Sequence, residues 1–438
     1  MISSGLKALF EPKSIVLVGA SDLAGENRIY SELFSALVRN VSSFKGARAR
    51  TVDLNGKIAG SEKKMNKVPK ELDLAILLLP KELLFKNLQN LLTRRVKALI
   101  LVSWDLKDDQ RGELLDLIGD RRMAFLGPGS IGVINTANGF IAVPERGQIS
   151  RGHVAVVSQD FCVSNTILDR ARLTGISKFV SLGDGLGIDE ADLLNYLSQD
   201  KDTKAICIYI RNVKDGRKLV GTLKEVVKNK PVLLLKGGAD WSGVFSGVMR
   251  QAGLLQVHNI QELLNGADGL VRQPLMGGDR VAIVTNLAGQ AKLLERYLLE
   301  EGLQLTQPSE DVVAKIRRKH PSAKIEGFVD LGPSAKADAY KFVIDLLLSD
   351  KNLDGIVALS SLKTTLFDLE DLRTVADVAK KPGEKPIIGV LTCTEDYAVA
   401  NEIMANTMFP VYSQLDEAAK VLKLLRLRAQ LMGKPQKM

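Results

Sequence analysis

The stretch from Ser14 to Ser21 constrains the fold most, because four aliphatic residues end abruptly in small ones. This pattern is typical of a buried parallel strand that turns sharply into a helix. Gly19 and Ala20 leave room for a ligand, and Ser21 or Asp22 would cap the helix, whose first N–H groups attract phosphate. We therefore predict a nucleotide-like ligand at this strand end. A tight turn at Gly19 without a ligand explains the pattern equally well.

The composition is that of a globular protein with more than one domain. The 438 residues predict two or three domains, and 45% are hydrophobic and 25% charged. No apolar run reaches the roughly 18 residues of a membrane helix. Three distant cysteines predict buried thiols in a reducing compartment rather than disulfides: Cys162, Cys207 and Cys393. We expect a cytoplasmic protein.

The charge is mildly basic, at +9, with 60 lysines and arginines against 51 acidic residues. The basic residues are mostly scattered and do not alternate with aromatic ones, so nucleic-acid binding is not expected. A mild positive excess suits a small polyanionic ligand or an acidic partner. A plain solvated surface accounts for it as well.

The first third of the chain alternates apolar strands with helical patterns, which predicts a doubly wound parallel sheet. Ligands bind at the carboxyl ends of the strands in such sheets. The predicted strands are 15–18, 51–54, 74–79, 98–102 and 124–126.

The rest of the chain contains an internal repeat, which predicts two further α/β units in tandem. The first boundary falls near 135–151, and the second falls near 273–278, in a Pro/Gly stretch of linker type. Three pairs of segments correspond: 153–159 with 280–286, 205–210 with 354–359, and 230–235 with 385–390.

These motifs, in this order and spacing, resemble the alpha subunit of ADP-forming acetyl-CoA and acyl-CoA synthetases, relatives of succinyl-CoA ligase. The resemblance rests on Val18-Gly-Ala-Ser21, Gly127-Pro128, Val157-Ser-Gln159, Lys214-Asp-Gly-Arg217 and Thr285-Asn286, among others. It implies an α/β fold with a Rossmann-like CoA-binding domain followed by two flavodoxin-like domains. The expected limits are 1–134, 150–272 and 278–432.

The resemblance also implies a coenzyme A site at the strand ends of the first domain. The family's Val-Asn-Pro-Lys reads Val52-Asp53-Leu54-Asn55 here, so its lysine is lost, and Lys57 or Lys81 would supply positive charge. The residues expected to bind CoA are Gly19, Ala20, Ser21, Asn55, Lys57, Leu79, Pro80, Lys81, Gly127 and Pro128.

The phosphate relay of the family is altered at three places. The family carries phosphate on a histidine in a Ser-His-Thr-Gly turn, but residues 236–250 contain no histidine. Its phosphate helix begins Ser-Gln-Ser-Gly, which here reads Ser158-Gln159-Asp160-Phe161. The family's orienting glutamate is Arg211, which we expect to pair with Asp160, and Trp241 would cover the vacated pocket or contact a partner. We assign no catalytic residue and treat Ser158, Gln159, Asp160, Phe161 and Arg211 as a degenerate phosphate site.

The other histidines, His153, His258 and His320, are interpreted as structural or solvated rather than as carriers. The favoured function is a CoA- or acyl-CoA-binding homologue without phosphohistidine catalysis. The alternative is an active acyl-CoA synthetase (ADP-forming) subunit that works with an ATP-grasp beta subunit. An interaction protein with an empty cleft and a lyase or transferase are further alternatives. We expect an oligomer without a metal in this chain.

Overall fold

The computed structural model describes residues 2–104, 106–119, 121, 123–144, 149–238, 243–363, 365–377, 383–392, 397–405 and 407–433. Two compact units divide the chain, residues 1–254 and residues 255–438. The three predicted domain limits stay a prediction.

The first unit begins with a five-stranded parallel sheet in the order β2-β1-β3-β4-β5. The predicted strands are confirmed, each within a few residues. The strands are β1 (Ser14–Gly19), β2 (Arg48–Asp53), β3 (Glu71–Leu78), β4 (Arg95–Leu101) and β5 (Ala124–Leu126), and the helices are α1 (Ile2–Phe10), α2 (Arg28–Ser43), α3 (Lys81–Leu92) and α4 (Asp108–Ile118).

Both faces of this sheet are covered, which is why the inner strand β1 is apolar without alternation. Ile15 and Leu17 of β1 pack in one cluster with Phe34 of α2. Val16 and Val18, which point the other way, pack in a second cluster with residues of α3 and α4. The carboxyl ends of the strands therefore meet at one edge, where the loops that follow them can form a site.

The same unit contains a second sheet, in which the strands run in the order β11-β10-β8-β9-β6-β7. The segment 133–142, close to the predicted first boundary, forms an antiparallel pair of strands, one of which pairs with β9. The strands are β6 (Val133–Asn135), β7 (Phe140–Ala142), β8 (Arg151–Ser158), β9 (Ile176–Ser181), β10 (Ala205–Ile210) and β11 (Val232–Lys236), and the helices are α5 (Phe161–Thr174), α6 (Glu190–Gln199), α7 (Gly216–Asn229) and α8 (Gly243–Gln251).

The second unit is built on a sheet in the order β15-β16-β13-β17-β18-β19, with β14 also paired to β13. Besides β12 (Leu255–Val257), which is not part of this sheet, the second unit contains the strands β13 (Arg280–Thr285), β14 (Gln304–Leu305), β15 (Lys324–Ile325), β16 (Val329–Asp330), β17 (Gly355–Ser360), β18 (Ile387–Leu391) and β19 (Val411–Tyr412). Its helices are α9 (Ile260–Arg272), α10 (Ala288–Glu300), α11 (Glu310–Lys319), α12 (Ala337–Ser349), α13 (Leu369–Ala376), α14 (Tyr397–Met404) and α15 (Leu415–Leu431).

The internal repeat predicted from the sequence is visible in both the strand order and a side-chain contact. β8, β10 and β11 lie side by side in one sheet, as β13, β17 and β18 do in the other. Lys230 donates to the carbonyl of Leu197 at the end of α6, at 2.8 Å, and Lys385 donates to that of Leu347 at the end of α12, at 3.4 Å. The repeated Lys-Pro pair therefore places a cation at the negative end of a helix in each half.

Candidate functional site

The carboxyl ends of β1 and β2 are joined by one buried carboxylate, that of Asp53, which has no exposed surface. Its Oδ1 accepts hydrogen bonds from the backbone N–H of Ser21, at 2.9 Å, and of Asn55, at 3.2 Å. Its Oδ2 accepts from the Ser21 hydroxyl at 2.5 Å and from the N–H groups of Lys57 and Ile58 at 2.8 and 2.9 Å. Asp53 thus organises three of the residues expected to bind CoA.

The charge of Asp53 is stabilised where it lies. Burial by itself raises the pKa of this carboxyl, but the hydrogen bonds from Ser21, Ile58 and Asn55 outweigh it and lower the pKa below its usual value. The group is therefore an anion at neutral pH. The backbone N–H groups that a ligand phosphate would bind at this strand end are bound to the carboxylate of Asp53 instead.

The expected helix cap at Ser21 or Asp22 is wrong. A loop and a short 3-10 turn, residues 25–27, follow β1, and α2 begins only at Arg28, with no side-chain cap at its first turn. The Ser21 hydroxyl binds Asp53 instead, and the Asp22 carboxylate lies 3.7 Å from the ammonium of Lys57. The loop between β1 and α2 is thus longer than the sharp turn predicted.

Gly19 has a packing role in this loop. A Cβ at this position would lie 2.3 Å from Cδ2 of Phe34, which comes from α2. The absence of a side chain lets the helix approach the strand, whereas Ala20 is buried in the cluster on the opposite face of the sheet. The contact with Phe34 accounts for Gly19 without a ligand.

The next predicted CoA residues lie at the ends of β3 and β5. Leu79 is buried, and its N–H donates to the hydroxyl of Ser103 at 3.0 Å. Pro80 precedes the first residue of α3, which is the exposed Lys81.

Gly127 and Pro128 connect the two sheets of the first unit. The N–H of Gly127 donates to the carbonyl of Leu182 at 3.0 Å, and the carbonyl of Pro128 accepts from Asp184 at 2.9 Å. Gly127 has a φ of 105°, and a Cβ there would lie 2.3 Å from the carbonyl oxygen of Leu101. Only glycine fits this position, and both residues serve contacts within the chain.

The predicted degenerate phosphate site lies where β8 and β10 end side by side. Asp160 is the N-cap of α5, and its Oδ1 accepts from the N–H of Val163 at 2.9 Å. Its Oδ2 lies 3.2 Å from Nη1 of Arg211, so the predicted ion pair is confirmed. A carboxylate therefore occupies the end of the helix at which an anion is stabilised.

Gln159 fixes the turn that carries Arg211. Its Oε1 accepts from the N–H groups of Arg211 and Asn212, at 2.6 and 3.0 Å, and its Nε2 donates to the carbonyl of Asn212 at 2.8 Å. Nε2 also donates to Oε1 of Glu190, a buried carboxyl whose pKa is raised by burial. Ser158, immediately before, has no exposed surface. Sequence reasoning missed Glu190, because it begins a helix 31 residues away from its partner.

Phe161, the first residue of α5, joins an aromatic cluster. Its ring lies 5.5 Å from that of Trp104, at an angle of 46°, and Trp104 stacks on Tyr30 at 4.3 Å and 3°. The Tyr30 hydroxyl donates to the carbonyl of Trp104 at 3.3 Å. Tyr30 and Trp104, which follow β1 and β4, thus form one aromatic cluster with Phe161. The family pattern has glycine at the position of Phe161.

No histidine of the first unit lies near Asp160. His153, its only histidine, lies in β8 five residues before Ser158, which is about 16 Å along an extended strand. Its Nδ1 lies 2.9 Å from the carbonyl oxygen of Asp202. His258 and His320 belong to the second unit. Trp241, the residue predicted to cover the pocket, lies outside the described residues.

The cysteines differ from the prediction at one position. Cys162, in the first turn of α5, is exposed rather than buried. Cys207 in β10 is buried, and burial raises the pKa of its thiol. Cys393 lies outside the described residues.

The described residues form neither a membrane-spanning helix nor a cluster of metal ligands. None of their helices combines the length and the apolar character that crossing a membrane requires. They also contain no cluster of three or more His, Cys, Asp or Glu side chains placed to hold a metal ion.

Comparisons with known proteins show what this chain is similar to. Residues 151–244 match the model of the succinyl-CoA ligase like flavodoxin domain. The alpha subunit of acetate–CoA ligase (ADP-forming) II from Pyrococcus furiosus is 27% identical over an alignment that covers 98% of this chain and 99% of the relative.

Solved structures agree with this match in sequence. The crystal structure of PH0766 from Pyrococcus horikoshii OT3 has a TM-score of 0.88 at 27% identity, and covers 98% of this chain and 100% of that one. The dinucleotide forming acetyl-coenzyme A synthetase 1 of Ca. Korarchaeum cryptofilum, solved with phosphate and ADP, has a TM-score of 0.85 at 21% identity and 98% coverage of both chains. The second likeness concerns the fold alone.

The fold is of the α/β class with mainly parallel sheets, and residues 151–244 match the succinyl-CoA ligase like flavodoxin domain. Over nearly its whole length, the chain is similar to the alpha subunits of two ADP-forming acetate–CoA ligases of Pyrococcus furiosus. The resemblance and the fold class predicted from the sequence are confirmed.

Proposed function

We propose that the chain is a CoA- or acyl-CoA-binding homologue of the ADP-forming acyl-CoA synthetase alpha subunit that does not transfer phosphate through a histidine. It would act in the cytoplasm as an oligomer or as the partner of an ATP-grasp beta subunit.

The observation that carries this proposal is the ion pair between Asp160 and Arg211 at the start of α5. A carboxylate that caps the helix takes the N–H of Val163, which would otherwise be free to bind phosphate. Its negative charge also repels a phosphoryl group that approaches the same point. The carrier histidine is missing from residues 236–250 as well. Both the residue that would carry the phosphate and the helix end that would bind it have therefore changed.

The CoA part of the proposal is supported by the first sheet. Its strand ends are brought together by Asp53, and Lys57 and Lys81 are exposed cations beside them. The relative from Pyrococcus furiosus is named as a CoA ligase, and it aligns with 98% of this chain. A polyanion such as CoA suits exposed cations at the edge where ligands of such sheets bind.

Two measurements on the full chain test the proposal. Calorimetric titration with CoA and acetyl-CoA should give saturable binding. Incubation with acetyl-CoA and ³²P-labelled inorganic phosphate should leave no acid-labile label on the protein, whereas the Pyrococcus furiosus alpha subunit serves as the positive control. Because the label enters the family scheme from acyl-CoA and phosphate, this assay needs no partner subunit.

A phosphorylated histidine in this chain would overturn the proposal and favour the active synthetase subunit. Absence of CoA binding, together with a stable complex with another protein, would favour an interaction protein with an empty cleft.

A further inference from the structure

The loop after β2 is closed by backbone hydrogen bonds that join its two ends. The N–H of Asp53 donates to the carbonyl of Glu62, and the N–H of Glu62 donates to the carbonyl of Thr51, both at 2.9 Å. Within the loop, the Asp53 carboxylate holds the N–H groups of Lys57 and Ile58. The backbone of the residue that follows Glu62 is therefore fixed beside the end of β2.

That residue is Lys63, whose side chain lies across the backbone of Gly56. A Cβ on Gly56 would lie 2.3 Å from Cε of Lys63 and 2.9 Å from its Cγ and Cδ, so the aliphatic stem occupies the space that glycine leaves. Gly56 also has a φ of 67°, which favours glycine. The stem of Lys63 therefore lies against the residue that follows Asn55, the position where the family pattern has lysine.

Lys63 differs from Lys57 and Lys67, two other lysines near the end of β2, in having no ion-pair partner among the described residues. Lys57 lies 3.7 Å from Asp22, and Lys67 lies 3.0 Å from Glu62. Lys63 is exposed and forms no ion pair with the residues that the structure describes. A cation that is placed by packing but not neutralised is suited to an anionic ligand.

We propose that Lys63 binds the phosphate on the ribose of CoA, which rests on the proposed CoA binding. In sheets of this kind, the residue at the end of the second strand faces the ribose of the ligand, and a basic side chain nearby accommodates a ribose phosphate. Asp53 is fully buried and committed to backbone N–H groups, so it does not serve the ribose hydroxyls. CoA carries such a phosphate on its 3′-hydroxyl, and dephospho-CoA lacks it.

Calorimetric titration of the full chain with CoA and with dephospho-CoA tests this assignment. The wild type should bind CoA about tenfold more tightly, as expected for a hydrogen bond to a charged group. Lys63→Met, which keeps the stem and removes the charge, should bind both ligands with the weaker affinity. The matched control Lys64→Met, which removes an adjacent exposed cation, should keep the preference.

The outcomes separate the two proposals. If the wild type binds neither ligand, the proposed function fails and the role of Lys63 fails with it. If the wild type binds both equally, or Lys63→Met keeps the preference, only the role of Lys63 is overturned. An equal loss in Lys64→Met also overturns it, because net charge rather than position would then account for the effect.

Discussion

Replacing Asp53 with asparagine tests how the loops after β1 and β2 are held together. The substitution keeps one acceptor oxygen and replaces the other with an NH₂ group, which donates. If the nitrogen takes the place of Oδ2, the N–H groups of Lys57 and Ile58 lose their acceptor. If the amide is turned, the N–H groups of Ser21 and Asn55 lose theirs instead.

Either orientation leaves two backbone donors without a partner. Each buried donor that is left unsatisfied costs about 1–3 kcal/mol, so the loops should be destabilised by about 2–4 kcal/mol after partial hydration. At 2 kcal/mol, amide hydrogen exchange in the loop after β2 should accelerate by about thirtyfold. Exchange followed by mass spectrometry over residues 54–60 measures this directly.

The control for Asp53→Asn is Asp73→Asn in the same sheet. The Asp73 carboxylate accepts from the N–H of Lys13 at 2.8 Å and from the ammonium of Lys97 at 2.7 Å, at the opposite end of the strands. This variant should leave exchange over residues 54–60 unchanged. Equal protection of that segment in Asp53→Asn and in the wild type would refute the argument that the carboxylate holds the loops.

The contribution of Asp53 to the stability of the folded chain should decrease as the pH falls. Its pKa is lower in the folded chain than in the unfolded one, because the hydrogen bonds from Ser21, Ile58 and Asn55 outweigh burial. Its contribution to stability is therefore full above the unfolded pKa, about 4, and is lost as the pH falls through the lower, folded value. The difference in loop protection between wild type and Asp53→Asn should narrow below about pH 4.

Three further substitutions test other parts of the structure. Asp160→Ala should destabilise α5 by about 1 kcal/mol through loss of its cap, and should create weak inorganic phosphate binding detectable by ³¹P NMR; no change in either would contradict its role. Gly19→Ala should cost about 1–3 kcal/mol in urea unfolding because of the contact with Phe34, and Phe34→Leu in the same chain should recover part of it. Lys178→Met should cost about 3–5 kcal/mol, because its buried 2.7 Å pair with Asp200 is broken, whereas the double variant Lys178→Met/Asp200→Leu should unfold close to the wild type.

The sequence predicts the strands well because burial on both faces demands continuous apolar runs. Residues 15–18 and 124–126 are aliphatic or aromatic throughout, and both lie in strands with hardly any exposed surface. The cap at Ser21 was predicted wrongly, because its hydroxyl binds a carboxylate 32 residues away, and local propensity carries no information about such a partner.

The candidate site also contains both features that were predicted from the sequence and features that were not. The pair of Asp160 and Arg211 was predictable because both follow neighbouring parallel strands, whose ends must meet. Lys63 was not predicted, since its position depends on the direction in which one flexible side chain folds over Gly56. The pattern that would have indicated the role of Asp53 is an acidic residue at a strand end with a glycine shortly after it, here Gly56.

The cap of α5 has a consequence for how this helix responds to solutes. The Asp160 carboxylate is covalently tethered to the N–H group that it binds, so its effective concentration there far exceeds that of any dissolved anion. Inorganic phosphate at the millimolar level of a cell would have to displace it and lose the Arg211 contact as well. The end of this helix should therefore keep one arrangement, whatever the supply of phosphate.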